Sequence, residues 1–160
     1  MTKHGALQVT LPSDREIQFT RLFNAPRRLV FDAHTQPELL RRWLSGPDGW
    51  TWVVCEVDLR VGGAYRWVWR GPGGVEMGIH GVHTEIVAPE RLACTQVFDM
   101  GRPGDEALGT LVLTEDHGKT TLKNTTRYPS KEARDAALKS GMADGMEAGY
   151  ARLDQLVASA

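Results

Sequence analysis

The chain has 160 residues, 41% of them hydrophobic, and a formal net charge of −1, which suits one globular domain with a single core. It has no long run of either charge that would indicate a nucleic acid or an anionic membrane as a partner, and no apolar stretch of about eighteen residues that would predict a membrane span. The N-terminus lacks the apolar run of roughly seven residues that a signal peptide needs, so we expect a cytoplasmic protein.

The first part of the chain predicts one strand followed by two short helices. Residues 1–14 are interpreted as an N-terminal extension, either flexible or a short extra strand, ahead of a single domain over residues 15–160. Apolar side chains alternate over 15–23, as they do in a β-strand. Apolar residues then recur at helical spacing over 27–34 and 37–44, so we expect two short helices with a bend between them.

Glycine-rich turns divide the middle of the chain into short segments with strand character. The predicted strands cover residues 50–58, 64–70, 76–87, 91–99, 110–115 and 120–128. With the first strand they make a run of strands bracketed by helices. This order predicts an α+β fold with an antiparallel sheet that is covered on one face.

The last part of the chain predicts one long amphipathic helix over residues 130–160, with Ser130 as its N-cap. Gly141, Gly145 and Gly149 recur every four residues on its apolar face. Each glycine costs about 1 kcal/mol relative to alanine inside a helix. We therefore expect these glycines to form one wall of a pocket between the helix and the sheet.

The opposite wall is predicted from the strand that contains Tyr65, Trp67 and Trp69. These aromatic residues alternate with Arg66, Val68 and Arg70, so they share a face, which should point toward the long helix. Flexible methionines and amphipathic aromatic side chains suit a pocket for a flat or hydrophobic ligand. The predicted cavity residues are Trp52, Tyr65, Trp67, Trp69, His80, Gln96, Phe98, Asn124, Met142, Met146 and Tyr150.

No set of residues forms a confident catalytic or metal site. His80 and His83 are three positions apart in a strand and point to opposite faces, which argues against a shared metal. His80 shares its predicted face with Val82 and Ile86 and is a candidate ionisable group in the cavity. Glu56 and Tyr150 are further candidates for a general acid or base.

The cysteines give no sign of a metal or a disulfide. Cys55 and Cys94 lie in strand-like runs among apolar neighbours, without the spacing of a metal site. We expect both to be buried reduced thiols. The sequence predicts neither a metal nor a cofactor.

Four separated segments together resemble a known family. They are APRRLVFDAHTQPELLRRW, EVDLRVGGAYRW, GIHGVHTEIVAPERL and GMADGMEAGYARLDQLV. In this order they resemble the activator-of-Hsp90-ATPase-homologue-like branch of the START/Bet v 1/polyketide cyclase (SRPBCC) superfamily, the helix-grip proteins, over residues 15–158. The resemblance implies a seven-stranded antiparallel sheet around the C-terminal helix, two short helices after the first strand, a cavity between helix and sheet, and a possible homodimer.

Three functions stay open, because this fold serves several. The first is a non-catalytic carrier or sensor of a small hydrophobic or aromatic ligand. The second is a cavity enzyme of the polyketide cyclase or aromatase type, in which His80, Tyr150 or Glu56 transfers a proton. The third is a protein-interaction domain that activates the Hsp90 ATPase.

Overall fold

Eight strands form one antiparallel sheet in the computed structural model, which describes residues 7–46, 48–99 and 106–158. The strands are β1 (Gln8–Thr10), β2 (Glu16–Phe23), β3 (Thr51–Val57), β4 (Ala64–Arg70), β5 (Glu76–Val87), β6 (Arg91–Phe98), β7 (Ala107–Asp116) and β8 (Lys119–Arg127). They are hydrogen-bonded in the order β1-β2-β8-β7-β6-β5-β4-β3. The strands from β3 to β8 are therefore a meander, and β1 and β3 are the two edges.

The described α-helices precede and follow this meander. They are α1 (Arg27–Thr35), α2 (Pro37–Trp43), α3 (Lys131–Lys139) and α4 (Met142–Ala158). The predicted α+β class is confirmed, with an antiparallel sheet and a long C-terminal helix. The sheet has eight strands instead of seven, because part of the predicted N-terminal extension forms β1 and pairs with β2.

The predicted helix over residues 130–160 is divided into two. Ser130 caps α3 as expected, because its Oγ accepts a hydrogen bond from the backbone N–H of Ala133 at 3.1 Å. The chain breaks between α3 and α4 at Gly141, whose φ of 83° lies in the left-handed region that favours glycine. Gly141 thus sets the start of α4, which is a different role from the pocket wall that the spacing indicated.

Helix α4 covers one face of the sheet, which we call the inner face. The ring of Tyr150 lies 5.7 Å from the ring of Phe23, and its hydroxyl accepts a hydrogen bond from Asn124. Residues that pair directly across strands share a face of the sheet. Asn124 pairs with Leu111, and Leu111 with Leu92, so the inner face extends from β8 through β7 to β6.

The inner face continues from β6 to the aromatic strand β4. Alternation along β6 places Phe98 on the same side as Leu92. Phe98 pairs with Ile79, Ile79 with Trp67, and Trp67 with Cys55. The aromatic side of β4 therefore faces the same way as the side chains under α4.

A β-bulge in β3 interrupts the strict alternation of its side chains. The pairing register shifts between Trp52 and Val54. Trp52 pairs with Trp69 on the inner face, whereas Val54 pairs with Val68 on the opposite, outer face. The bulge thus lets both Trp52 and Cys55 point inward although they are three residues apart.

The inner face is tightly packed under the C-terminal half of α4. We call this region the packed end, and each of its large side chains is 1% exposed or less. Its members are Phe23, Trp43, Leu122, Tyr150 and Leu153. Gly149 belongs here too, since a Cβ added to it would lie 3.6 Å from the backbone oxygen of Trp43. An added Cβ would thus make an ordinary van der Waals contact with α2.

Candidate ligand-binding site

Four aromatic side chains of β3 and β4 form a continuous aromatic wall on the inner face. The ring centroids of Trp52 and Trp69 are 4.6 Å apart, and those of Tyr65 and Trp67 are 5.1 Å apart. Trp67 joins these two pairs, with centroid distances of 6.2 Å to Trp69 and 6.5 Å to Trp52. These spacings are typical of favourable aromatic contacts. The four residues therefore support one another as one surface.

The polar atoms of the aromatic wall fall into two groups. The Trp69 indole N–H donates a hydrogen bond to the backbone oxygen of Leu44 at 2.9 Å, and the Tyr65 hydroxyl donates to that of Thr95 at 2.6 Å. The indole nitrogens of Trp52 and Trp67 are buried and have no hydrogen-bond partner in the part of the chain that the structure describes. Two of the four polar groups of the wall thus have hydrogen-bond partners among the described residues, and two have none.

Strand β6 adds polarizable and polar side chains beside the wall. Burial raises the pKa of the Cys94 thiol, which lies 3.8 Å from the Tyr65 hydroxyl. Burial also raises the pKa of Tyr65 well above its usual value, with Cys94 as a further cause. Gln96 reaches over Gly109, where an added Cβ would overlap its amide group. Both Tyr65 and Cys94 are therefore neutral at ordinary pH.

Large apolar side chains at this end of the inner face remain partly open. Phe98 is 45% exposed, and Met77, which pairs with Trp69, is 41% exposed. Trp52 and Trp67 are half-buried. We call this region the open end of the inner face, and its members are Trp52, Trp67, Met77, Gln96 and Phe98.

The start of α4 lies beside the end of β8. The Tyr128 hydroxyl, just after β8, donates a hydrogen bond to the Sδ atom of Met142 at 3.7 Å. The strand pairing places this corner beside β6, because Arg127 pairs with Leu108 and Gln96 pairs with Ala107. Met142 and Met146 are both half-buried. Both methionines pack against the buried core of the inner face.

Tyr150 and Asn124, two predicted cavity residues, lie at the packed end. Tyr150 is enclosed between Phe23 and Trp43, whose ring stacks on it at a centroid distance of 5.8 Å. Burial raises the pKa of Tyr150 to about 12, although the Asn124 hydrogen bond and the nearby Arg21 act in the opposite direction. This hydroxyl therefore stays protonated and cannot serve as a base near neutral pH.

Two charged or ionisable residues of the packed end were not predicted from the sequence. Arg21 is 2% exposed on the inner face, with its guanidinium 4.7 Å from the Phe23 ring centroid and its Nη1 3.8 Å from Asp154. Alternation with Ile17 along β2 was the signal that could have found it. These contacts, together with a hydrogen bond from Nη1 to the backbone oxygen of Leu22, offset the free-energy cost of burying the guanidinium.

His34 is the second unpredicted residue. Its Nδ1 lies 2.7 Å from the backbone oxygen of Val30, and its ring packs edge-on against Trp43 at 4.9 Å. Burial lowers the pKa of His34 to about 4, against the opposite effect of the Val30 hydrogen bond. His34 is therefore neutral at pH 7 and donates from Nδ1.

His80 and Glu56 lie on the outer face, which corrects their predicted place in the cavity. A β-bulge between His83 and Glu85 reverses the alternation in β5, so His80 and Ile86 point to opposite faces. His80 in β5 and Glu56 in β3 both pair with Arg66 of β4, which lies on the outer face. All three side chains therefore point outward.

The His80 side chain belongs to a surface ion-pair cluster. Its Nδ1 is 2.9 Å from Oδ1 of Asp99, whose other oxygen is 3.2 Å from the Arg66 guanidinium. His80, Arg66 and Glu56 line an open depression of about 690 Å³ on the outer face. Tyr65 of the aromatic wall also contributes to the lining of this depression.

Both thiols are free, with Cys55 buried and Cys94 half-buried. Within residues 7–46, 48–99 and 106–158, no three His, Cys, Asp or Glu side chains are grouped so that they could hold a metal ion. Among the described helices, none is long and apolar enough to cross a membrane.

The family model described as "Activator of Hsp90 ATPase homolog 1-like protein" matches residues 24–158. The chain belongs to this family. The match covers α1, α2, the meander and both C-terminal helices, so the aromatic wall and the helices that face it lie inside the family domain. The resemblance inferred from the four sequence segments is confirmed.

Solved structures of bacterial proteins are similar to the chain over nearly its whole length. A crystal structure from Rhodobacter sphaeroides has 35% sequence identity and a TM-score of 0.90, covering 96% of this chain and 99% of that one. A solution structure from Staphylococcus epidermidis has 26% identity and a TM-score of 0.80, covering 95% and 94%. A Mycobacterium smegmatis protein, at 22% identity and a TM-score of 0.83 over 95% and 97%, shares the fold. No curated protein matches the chain.

Proposed function

We propose that this protein binds a small hydrophobic or aromatic molecule at the open end, between the aromatic wall and the start of α4, as a non-catalytic carrier or sensor. The observation that carries the proposal is the incomplete burial of large apolar side chains on the inner face there. Apolar surface left open inside a domain is costly unless a ligand covers it. The family fold supports a ligand-binding or interaction domain in general, and the half-buried aromatic side chains of this region support the binding role.

The chemistry of the open end favours binding of a flat molecule. Its rings offer faces and edges on which another aromatic ring can stack. The thioethers of Met142 and Met146 adapt to ligands of different shape. A pocket with mostly apolar walls and a few polar groups is the usual form of a small-molecule site.

Catalysis receives less support than binding. The three residues with candidate acid or base roles are distributed over two faces of the sheet, with Tyr150 inside and His80 and Glu56 outside. No substrate in the inner-face site can contact all three. A cavity enzyme, an Hsp90-activating role and a homodimer each remain predictions for this chain.

A filled-pocket variant tests the proposal. Met146→Trp places a bulky ring at the open end, and Ala148→Trp places the same ring at an exposed position of the same helix. We expect isothermal titration calorimetry with a panel of two-ring and three-ring aromatic compounds to give saturable binding to the wild type and to Ala148→Trp, and none to Met146→Trp. Absence of binding to the wild type across the panel, with no co-purified small molecule in native mass spectrometry, would contradict the proposal.

A further inference from the structure

We infer that the ligand is a neutral aromatic molecule with an oxygen acceptor, such as an aryl ketone or quinone, that accepts hydrogen bonds from the indole N–H groups of Trp52 and Trp67. The inference rests on the proposed function and adds the chemical class of the ligand to it. It starts from two buried donors for which the described residues supply no acceptor.

An indole N–H can only donate a hydrogen bond. A buried donor without an acceptor loses its contacts with water and gains nothing in return, so native proteins rarely leave one unpaired. Here two such donors lie in the same cluster, with ring centroids 6.5 Å apart and planes at 83°. Two other buried nitrogens among the described residues lack a partner, Arg21 Nε and His34 Nε2. The two indoles differ from these because they lie together on one wall of half-buried rings, where a single ligand can pair with both.

The other buried indoles provide an internal comparison. The indole of Trp43 donates to the backbone oxygen of Ala33 at 2.8 Å, and that of Trp69 donates to Leu44 at 2.9 Å. Both tryptophans lie beside Trp52 and Trp67 or on the helices that cover the inner face. The fold therefore supplies an acceptor to the indoles of Trp43 and Trp69 and supplies none to those of Trp52 and Trp67.

The charge on the ligand follows from the inner-face side chains. Inner positions of β4 to β6 carry aromatic, aliphatic, thiol, amide and imidazole groups, and none of these described positions has a carboxylate. A cationic ligand would lose its hydration without gaining a partner charge. The buried His83 ring is already held by the backbone oxygens of Asp58 and Gly63. A neutral ligand with acceptor oxygens fits this set.

Nuclear magnetic resonance can observe the two donors directly. The chain has five tryptophans, so a ¹⁵N-labelled sample gives five indole N–H signals. The probes are 9-fluorenone and fluorene, which share a three-ring skeleton and differ by one carbonyl oxygen. With 9-fluorenone we expect the Trp52 and Trp67 proton signals to move downfield, while the signals of Trp43 and Trp69, whose hydrogen bonds are already made, move little.

Calorimetry with matched variants measures the contribution of each donor. We expect the wild type to bind 9-fluorenone about tenfold more tightly than fluorene, because a net hydrogen bond changes affinity by about threefold to tenfold. Trp52→Phe and Trp67→Phe should each lower that ratio about threefold. Trp50→Phe, whose ring packs over Gly71, should leave it unchanged. The two affinities are compared within each variant, so any effect of the smaller phenylalanine ring on the binding of both probes cancels.

The outcomes separate the two proposals. If both probes bind equally and the Trp52 and Trp67 signals do not move downfield with 9-fluorenone, the acceptor inference is overturned and the proposed binding site stands. If neither probe binds, the acceptor inference is overturned, and the proposed function is then decided by the wider panel of aromatic compounds and by native mass spectrometry. The spectrum is recorded on the wild-type protein, so the result holds even where a phenylalanine variant fails to fold.

Discussion

The two ends of the inner face are built from the same residue types and have opposite degrees of packing. At the packed end, Phe23, Trp43 and Tyr150 enclose one another and every indole donor has its acceptor. At the open end, Trp52 and Trp67 are half-buried with unpaired donors. Aromatic content alone therefore does not distinguish a core from a binding site. Partial burial of the rings combined with unpaired indole donors does, whereas unpaired nitrogens alone also occur at the packed end, in Arg21 and His34.

The largest expected difference between the two ends comes from the same substitution at each. Phe23→Ala removes a fully buried ring and should lower the free energy of unfolding by about 4 kcal/mol, because it combines lost burial with a cavity. Phe98→Ala, at a ring that is 45% exposed, should cost about 1 kcal/mol. Urea unfolding followed by circular dichroism measures both. Equal losses would show that the open end is part of the core.

A second difference concerns pH, through His34 at the packed end. Its pKa is lowered to about 4 in the folded state from an ordinary value near 6.5. The unfolded chain therefore binds a proton more readily, so the stability that neutral His34 contributes is complete above pH 6.5 and is lost as the pH falls from 6.5 to 4. We expect a loss of about 2 kcal/mol over this range.

The control for this pH effect is His34→Gln, which keeps a polar side chain and cannot titrate. Its free energy of unfolding should change less between pH 6.5 and pH 4 than that of the wild type, by about the same 2 kcal/mol. Denaturant midpoints at several pH values give the comparison. If the free energy of unfolding of the two proteins depended on pH in the same way, the result would show that the His34 ring is hydrated in the folded protein.

The glycines of the C-terminal region give a third, smaller contrast. Gly141→Ala should lower stability by about 1 kcal/mol, because alanine must adopt the left-handed φ of 83° at the helix break. Gly145→Ala should raise stability by about 0.5–1 kcal/mol, since it lies inside α4 and an added Cβ meets no atom within 4 Å. Thermal unfolding of the two variants checks the opposite signs. A loss of stability in Gly145→Ala would indicate that other atoms fill the space beside residue 145.

Sequence reasoning located the elements well because their signals are local. The alternation of aromatic residues in β4 and the helical spacing over α1 and α2 depend only on near neighbours. The sequence prediction for His80 was wrong because a β-bulge begins three residues further along β5 and reverses the alternation of its side chains. No residue type at that position predicts a bulge. Whether a buried aromatic side chain packs in a core or lines a site depends on contacts between distant segments. Trp43 and Trp52 illustrate this, since both lie in runs with apolar neighbours in the sequence. In the structure Trp43 is packed in the core, whereas Trp52 is half-buried at the open end.

The smallest predicted effect tests whether Tyr150 belongs to the core or to the site. Tyr150→Phe removes a hydroxyl whose observed partner is the Asn124 amide at a long 3.4 Å, so the free energy of unfolding should fall by only about 0.5–1 kcal/mol. Affinity for aromatic ligands should stay within about twofold of the wild type, because the side chain is enclosed by Phe23 and Trp43. Calorimetric titration of both proteins with the same compound gives the comparison. A tenfold loss of affinity would extend the binding site along α4 as far as Tyr150, and the packed end would then be a second wall of the site.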